Sequence, residues 1–235
     1  MARRARPVLL SPTGPMTFPD PAWADAEGLL AVGGDLTPER LLLAYESGIF
    51  PWYADGLPPM WWSPDPRALL DDDALHVSKS LARELRRGHF QVTVNRAFER
   101  VMRECGSERE GGTWILPEMI RAYLRLHERG DAQSFEVWRE ERLVGGLYGV
   151  QRGALFAAES MFHRETNASK VALVAAVRSL FAAGIELFDV QFVTSHLASM
   201  GVYQIPRVEY LARVRAATAR NVDLRNLKVR LFRDS

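Results

Sequence analysis

One cysteine in 235 residues leaves no partner for an internal disulfide and suits a reducing compartment. Cys105 falls on the apolar stripe of an expected helix, where it reads as inert packing rather than as a nucleophile. No apolar run approaches the ~20 residues needed to cross a bilayer, so a cytoplasmic protein without membrane contact is expected. Net charge is also scarce: 30 Lys and Arg against 29 Asp and Glu leave +1. Nucleic-acid binding would therefore depend on local basic surface, not on a global field. There is no Gly-x-x-x-x-Gly-Lys-Ser/Thr loop, which argues against ATP as the energy source. His76, His89, His127, His163 and His196 lack the close pairings of a zinc site, and no metal or other cofactor is expected. Ser160 stands in Glu-Ser-Met, not in a Gly-x-Ser-x-Gly elbow, which argues against a serine hydrolase. Internal repeats and low-complexity segments are absent.

What is present is ample core-forming material, 47% hydrophobic, enough for one large domain or two smaller ones. Residues 1–17, with Arg3, Arg4 and Arg6, read as a loose leader of a small α/β module that runs to residue 70. Thr37 as N-cap, Pro38 at the first helical position and Gly48 as terminator predict one helix there. The acidic triplet Asp71-Asp72-Asp73 opens a second unit, 71–235. In it Ser78 caps a helix ending at Gly88, and 89–94 alternates as a strand. Phe98, Val101, Met102 and Cys105 recur at helical spacing after Asn95, and a further helix runs from Pro117 to Gly130. The period then changes to two: 133–139 and 142–151 form a hairpin turning at Glu140-Glu141, with 154–159 as a third strand. Asn167 caps a long apolar helix ending at Gly184, and 185–192 is a buried strand. The fold class is α+β: a small N-terminal module followed by a mixed β-sheet domain flanked by helices.

Chemistry concentrates in two places. In Leu187-Phe188-Asp189-Val190-Gln191-Phe192, Asp189 and Gln191 alternate with apolar residues and share one sheet face. A carboxylate inside a buried strand is costly without a partner, so Asp189 either caps a neighbouring loop or projects with Gln191 into an active site. The other place is residues 28–67, an aromatic run in which Phe50, Ser63 and Asp65 each precede a proline and are pushed to extended geometry. Rigid loops presenting flat rings either pack or grip something planar, such as a nucleobase. On the helix after Ser78, Lys79, Arg83, Arg86 and Arg87 form one basic stripe, whose usual meaning is a solvated face and whose other reading is a phosphate-contacting surface.

Several motifs occur in an order that resembles one bacterial family. They are Gly33-Gly34-Asp35-Leu36, Gly48-Ile49-Phe50-Pro51-Trp52-Tyr53, Trp61-Trp62-Ser63-Pro64-Asp65-Pro66-Arg67, Gly112-Thr113-Trp114-Ile115, Glu136-Val137-Trp138, Glu159-Ser160-Met161-Phe162, Asn167-Ala168-Ser169-Lys170, Asp189-Val190-Gln191, His196-Leu197-Ala198-Ser199-Met200-Gly201 and Ile205-Pro206-Arg207. The run from about Phe18 to Leu211 resembles the leucyl/phenylalanyl-tRNA–protein transferases. The resemblance implies an N-acyltransferase-like sheet (of the GNAT or Fem type) and transfer of Leu or Phe, with Met as a further candidate, from aminoacyl-tRNA to acceptor proteins with N-terminal Arg or Lys, marking them for N-end-rule degradation. It implies Asp189 and Gln191 as the catalytic pair, Asp189 binding the α-ammonium and Gln191 holding or polarising the reacting groups. Trp52 and Trp114 become platforms for the terminal adenosine, and Glu159 the acceptor-recognising carboxylate. Leu147, Phe156, Met161, Leu173, Ala176, Leu180 and Phe188 become walls of the Leu/Phe pocket. Read without the family, Glu159 is as readily a strand-end salt bridge as a recognition group, and Trp52 after Phe-Pro reads as core sooner than as a platform. The walls also read as plain core, and Trp61, Trp62 and Trp138 are structural. A monomer is expected. Leu147, Ala158, Ala176 and Leu180 depart from the commoner family pattern, which bears on the choice between Leu and Phe.

Two other readings fit parts of the chain. A coenzyme-A-dependent N-acetyltransferase would share the fold, but needs a glycine-rich turn before a helix N-terminus, and 161–167 has no glycine. A non-catalytic RNA-binding adaptor would use the tryptophans and the basic stripe, but gives Asp189, Gln191 and Glu159 nothing to do.

Overall fold

The computed structural model describes residues 6–107 and 113–233. Arg3, Arg4 and Gly112 lie outside the described residues. The front module is a small sheet, β1 (Val8–Leu10), β2 (Leu29–Gly33), β3 (Phe50–Pro51) and β4 (Met60–Trp62), in the order β1-β2-β4-β3. Its helix α1 (Pro38–Glu46) starts as the sequence predicts, with the Thr37 hydroxyl accepting from the Arg40 N–H and Pro38 in the first turn. Gly48 follows at φ +72°, and a Cβ there would fall 2.6 Å from Leu211 and 2.9 Å from the Tyr210 ring. Only glycine lets the end of α1 approach the last helix so closely. Trp61 is fully buried, with its indole N–H donating to the Gly33 carbonyl at 2.9 Å, and Trp62 donates to the Trp52 carbonyl at 2.6 Å.

The second sheet has seven strands in the order β11-β5-β10-β9-β8-β7-β6. In chain order its elements are β5 (Arg67–Leu69), α2 (Lys79–Arg87), β6 (Gln91–Val94), α3 (Phe98–Gly106), α4 (Pro117–Glu128), β7 (Ala132–Arg139), β8 (Arg142–Arg152), β9 (Leu155–His163), α5 (Ala168–Ala182), β10 (Leu187–Gln191), α6 (Ser195–Ala198), β11 (Tyr203–Ile205) and α7 (Arg207–Thr218). β5 lies before the acidic triplet, yet it is a member of this larger sheet. The sheet is mixed: β10 runs parallel to β9 and antiparallel to β5. Helices cover both faces. On one side α5 seals Phe135, Leu147, Phe156 and Phe188, and on the other α3 and α4 cover Tyr148, Val150 and Ala157. That second core is shared with Leu41, Tyr45, Phe50 and Trp61 of the front module, so the two units pack as one body of apolar contacts.

Two helix starts differ from expectation. Asn95 and Asn167 each adopt a left-handed conformation, at φ +60° and +70°, and α3 begins only at Phe98. Asn167 makes no side-chain cap bond to α5; its short polar side chain tolerates the left-handed turn instead. β9 extends to His163, so Glu159 sits within the strand and not at its end. Among the described residues, no helix is long and apolar enough to cross a membrane.

Candidate active site

β9 and β10 are neighbours only where Leu155–Ala157 pairs with Leu187–Asp189. Beyond that point β9 continues along β8, whereas β10 ends and the chain leaves toward α6. The parallel strands therefore part, and a cleft of about 380 Å³ opens between Ala158–Met161 on one side and Val190–Phe192 on the other. Leu147 contributes from β8, Phe50, Pro51 and Trp52 from the front module, Trp114 from the segment before α4, and Thr194, His196 and Leu197 from around α6.

Gln191 marks the turning point. Its φ is +65°, the pairing with β5 slips between Asp189 and Gln191, and the Phe192 N–H already bonds back to the Val190 carbonyl at 2.7 Å. A non-glycine residue held there costs ~1–3 kcal/mol unless its surroundings enforce it. The enforcing group is Asp189, whose Oδ1 accepts the Gln191 backbone N–H at 2.8 Å. Asp189 is itself gripped: Arg67 Nε donates to Oδ1 at 2.9 Å, Arg67 Nη2 to Oδ2 at 2.6 Å, and the Tyr210 hydroxyl to Oδ2 at 2.8 Å. The Arg67 guanidinium lies between the rings of Phe50 (4.7 Å) and Tyr210 (4.5 Å), and its Nη1 donates to the Gly48 carbonyl at 3.3 Å. Burial opposes the Arg67 charge, but Asp189 beside it more than offsets this and holds the guanidinium above its ordinary range. The bidentate pair, with both side chains 1% exposed, is thus a fixed frame behind Gln191.

On the cleft side, the Gln191 side chain donates through Nε2 to Glu159 Oε1 at 2.7 Å. The other Glu159 oxygen accepts from the Tyr123 hydroxyl at 3.3 Å, and Tyr123 and Tyr45 share a 2.5 Å hydroxyl contact beneath it. Burial pushes the Glu159 carboxyl up to about 7; the Asp189 charge adds to this, while hydrogen bonds from Tyr45, Tyr123 and Gln191 pull the other way. Near neutral pH this group therefore divides between its neutral and charged forms.

Of the residues expected at the site, Trp52, Trp114, Leu147, Glu159, Met161 and Gln191 all line the cleft. Trp52 is 43% exposed at its mouth, edge-on to Trp62 at 5.6 Å and tilted against Phe192 at 5.9 Å. Asp189 does not reach the cleft: it is fully buried, and its carboxylate is taken up by Arg67, Tyr210 and the Gln191 N–H. Binding of the substrate ammonium by Asp189 is corrected accordingly. Phe156, Leu173, Ala176, Leu180 and Phe188 are corrected too, because they are fully buried and absent from the cleft wall. They form the core between α5 and the sheet, with Phe156 and Phe188 in ring contact at 5.4 Å, beneath the layer that Leu147 and Met161 present. Lys79, Arg83, Arg86 and Arg87 are exposed along α2, outside the cleft wall, with Arg87 3.5 Å from Glu84. Sequence reasoning gave no role to Arg67, Tyr210, Tyr123, Tyr45 or His196. The need of a buried Asp189 for a cation was a usable signal for Arg67, the charged end of the aromatic run. The tyrosines carried no such signal.

A family model described as leucyl/phenylalanyl-tRNA protein transferase matches residues 69–215, and one for that protein's N-terminal domain matches residues 34–65. The chain belongs to this family. As a leucyl/phenylalanyl-tRNA protein transferase family member it is an aminoacyltransferase, moving Leu or Phe from aminoacyl-tRNA to protein N-termini. Its relatives include the leucyl/phenylalanyl-tRNA–protein transferase of Anaeromyxobacter sp. (strain Fw109-5), 56% identical over 208 residues, which are 87% of this chain and 88% of that one. That of Escherichia coli O139:H28 (strain E24377A / ETEC) is 52% identical over 198 residues, 83% of this chain and 85% of the relative. The solved structure of L-PGS from Bacillus licheniformis aligns at a TM-score of 0.38 and 15% identity over 69% of this chain and 55% of that one, too distant to bear on the site. The transferase family's two matched segments meet near β5, where Arg67 joins the front module to Asp189.

Proposed function

We propose that transfer takes place in the cleft between β9 and β10, with Gln191 touching the reacting amine and Glu159 choosing the acceptor. The observation that carries this reading is the side chain of Gln191, turned into the cleft by a left-handed backbone that Asp189 holds. In the reaction the α-amino nitrogen attacks the ester carbonyl carbon. A C–N bond forms, the C–O bond to the ribose breaks, and the proton lost by the amine ends on the departing ribose oxygen. An α-amine has a pKa of ~7.7–8, against ~10.4 for a lysine side chain, so roughly a tenth of it is neutral at pH 7. A strong base is not required; alignment is, and it can supply up to ~7–11 kcal/mol. With Nε2 committed to Glu159, the Gln191 carbonyl oxygen is the natural acceptor for an N–H of the amine. Asp189, Arg67 and Tyr210 are positioning residues in this scheme.

Leu147, Met161, Val190 and Leu197 supply the apolar surface for a leucyl or phenylalanyl side chain. Trp52 and Trp114 take the terminal adenosine, at about 1–3 kcal/mol per stacked base. The protein works as a cytoplasmic monomer, in N-end-rule degradation, as the family resemblance implies. The Arg83, Arg86 and Arg87 stripe contacts phosphates of the tRNA body. Neutralising these three together is expected to weaken tRNA binding and flatten its salt dependence, measured as log affinity against log salt; an unchanged slope would move the tRNA body elsewhere.

Glu159 selects N-terminal Arg or Lys by pairing with the cationic side chain. Its carboxyl titrates near 7, so the charged form, and with it the preference, grows as pH rises through about 7. The ratio of kcat/KM for a peptide beginning with Arg to that for one beginning with Ala isolates this effect, because both acceptors share the amine titration. The ratio is expected to rise between pH 6 and pH 8 on either side of that value and to fall toward unity, without pH dependence, in Glu159→Gln. If that variant kept the preference for Arg, Glu159 would not be the selecting group.

A further inference from the structure

The carboxylate, amide and hydroxyl side chains of the cleft are all engaged. Glu159 and Gln191 bond each other, and the Thr194 hydroxyl accepts the Leu197 N–H at 3.2 Å as the cap of α6. Ser160 also has a partner. His196 is different: it lines the cleft, and among the described residues its buried Nε2 has no hydrogen-bond partner. A buried ring nitrogen left unpaired is costly, and such a deficit beside a binding cleft is explained when the ligand supplies the missing partner.

We propose that His196 is a substrate-contacting residue of this cleft and hydrogen-bonds the ribose hydroxyl adjacent to the reactive ester of the donor. Burial first, and then the charges of Lys170 and His163 nearby, hold the imidazole below its ordinary range, so near pH 7 it is neutral. The same two neighbours disfavour a second cation at this spot, which rules against the donor's own α-ammonium as the partner. The bases have Trp52 and Trp114, and the acceptor amine has Gln191 and Glu159. What remains polar at the reacting end of an aminoacyl nucleotide is the ester and the vicinal hydroxyl. A hydroxyl both donates and accepts, so it satisfies Nε2 in either tautomer of a neutral imidazole. An ester oxygen satisfies only one.

The inference rests on the transfer reaction assigned above, and one experiment separates the two. Leucyl-tRNA is prepared with either ordinary adenosine or 2′-deoxyadenosine at its terminus, the ester being on the 3′-oxygen in both. The quantity read is kcat/KM for the first divided by kcat/KM for the second, a ratio that does not depend on the fraction of protein folded. In the parent protein it is expected to be about tenfold, the effect of one hydrogen bond to a buried group. In His196→Ala and in His196→Asn it is expected to fall to about one, because the partner of the hydroxyl is gone. A ratio near tenfold in both variants, or near one in the parent, would overturn the role of His196 while leaving transfer in this cleft intact. Absence of transfer by the parent from the ordinary donor would instead overturn the assigned reaction.

Discussion

Arg67→Met is expected to lower stability by about 3–5 kcal/mol, because it strips a fully buried carboxylate of its cation. Asp189 would keep the Tyr210 hydroxyl and the Gln191 N–H, too little to offset the desolvation of a fully buried charge. For a chain of this size that loss corresponds to a fall in Tm on the order of 6–20 °C. The double variant Arg67→Met with Asp189→Leu is expected to regain most of that stability, since apolar side chains of similar bulk replace a buried ion pair at little or no cost. Transfer activity should stay low in the double variant, because the Gln191 backbone has lost the carboxylate that holds its left-handed turn. A double variant that recovered both Tm and transfer would show that the ion pair serves the fold alone.

Gln191→Ala should have the largest effect on the reaction itself. Removing one preorganised hydrogen-bonding group aimed at a reacting centre costs about 10²–10³ in rate. The replacement leaves the fold nearly undisturbed, because alanine takes over the same backbone position, its N–H still bonds to Asp189, and the lost side chain is at the cleft surface. Donor binding should also persist, since Trp52, Trp114 and the apolar wall at Leu147, Met161 and Leu197 are untouched. Gln191→Asn keeps the amide but draws it back by one methylene, beyond reach of the Glu159 contact now at 2.7 Å, and should be nearly as slow.

Much of the scaffold was legible because its signals are local. Thr37-Pro38, Ser78 and the glycines at 48 and 88 bound α1 and α2 as their capping chemistry dictates. The switch to period two gave β7 and β8, and the buried strand at Leu187–Gln191 followed from its apolar content. The site was legible only in part. Alternation along an ideal strand gives Asp189 and Gln191 equal access to a cleft, but the strand ends at Gln191, and no glycine announces the left-handed residue there. Polarity alone could not separate a pocket wall from a core layer, which is why Phe156, Leu173 and Phe188 read like Leu147 and Met161; the difference lies in where β9 and β10 part. The Arg67–Asp189 pair spans 122 positions of sequence, and β5 reaches it from before the acidic triplet. Long-range pairing of that kind is set by topology, not by any local pattern.

Single-turnover transfer of labelled leucine from leucyl-tRNA to a peptide beginning with Arg separates the chemistry of the cleft from binding to it. Measured for Gln191→Ala alongside the affinity of the same variant for the donor, the expected result is a rate constant lower by about 10²-fold or more at unchanged affinity. A rate constant close to the parent's would mean that the amine meets the ester somewhere other than at the parting of β9 and β10.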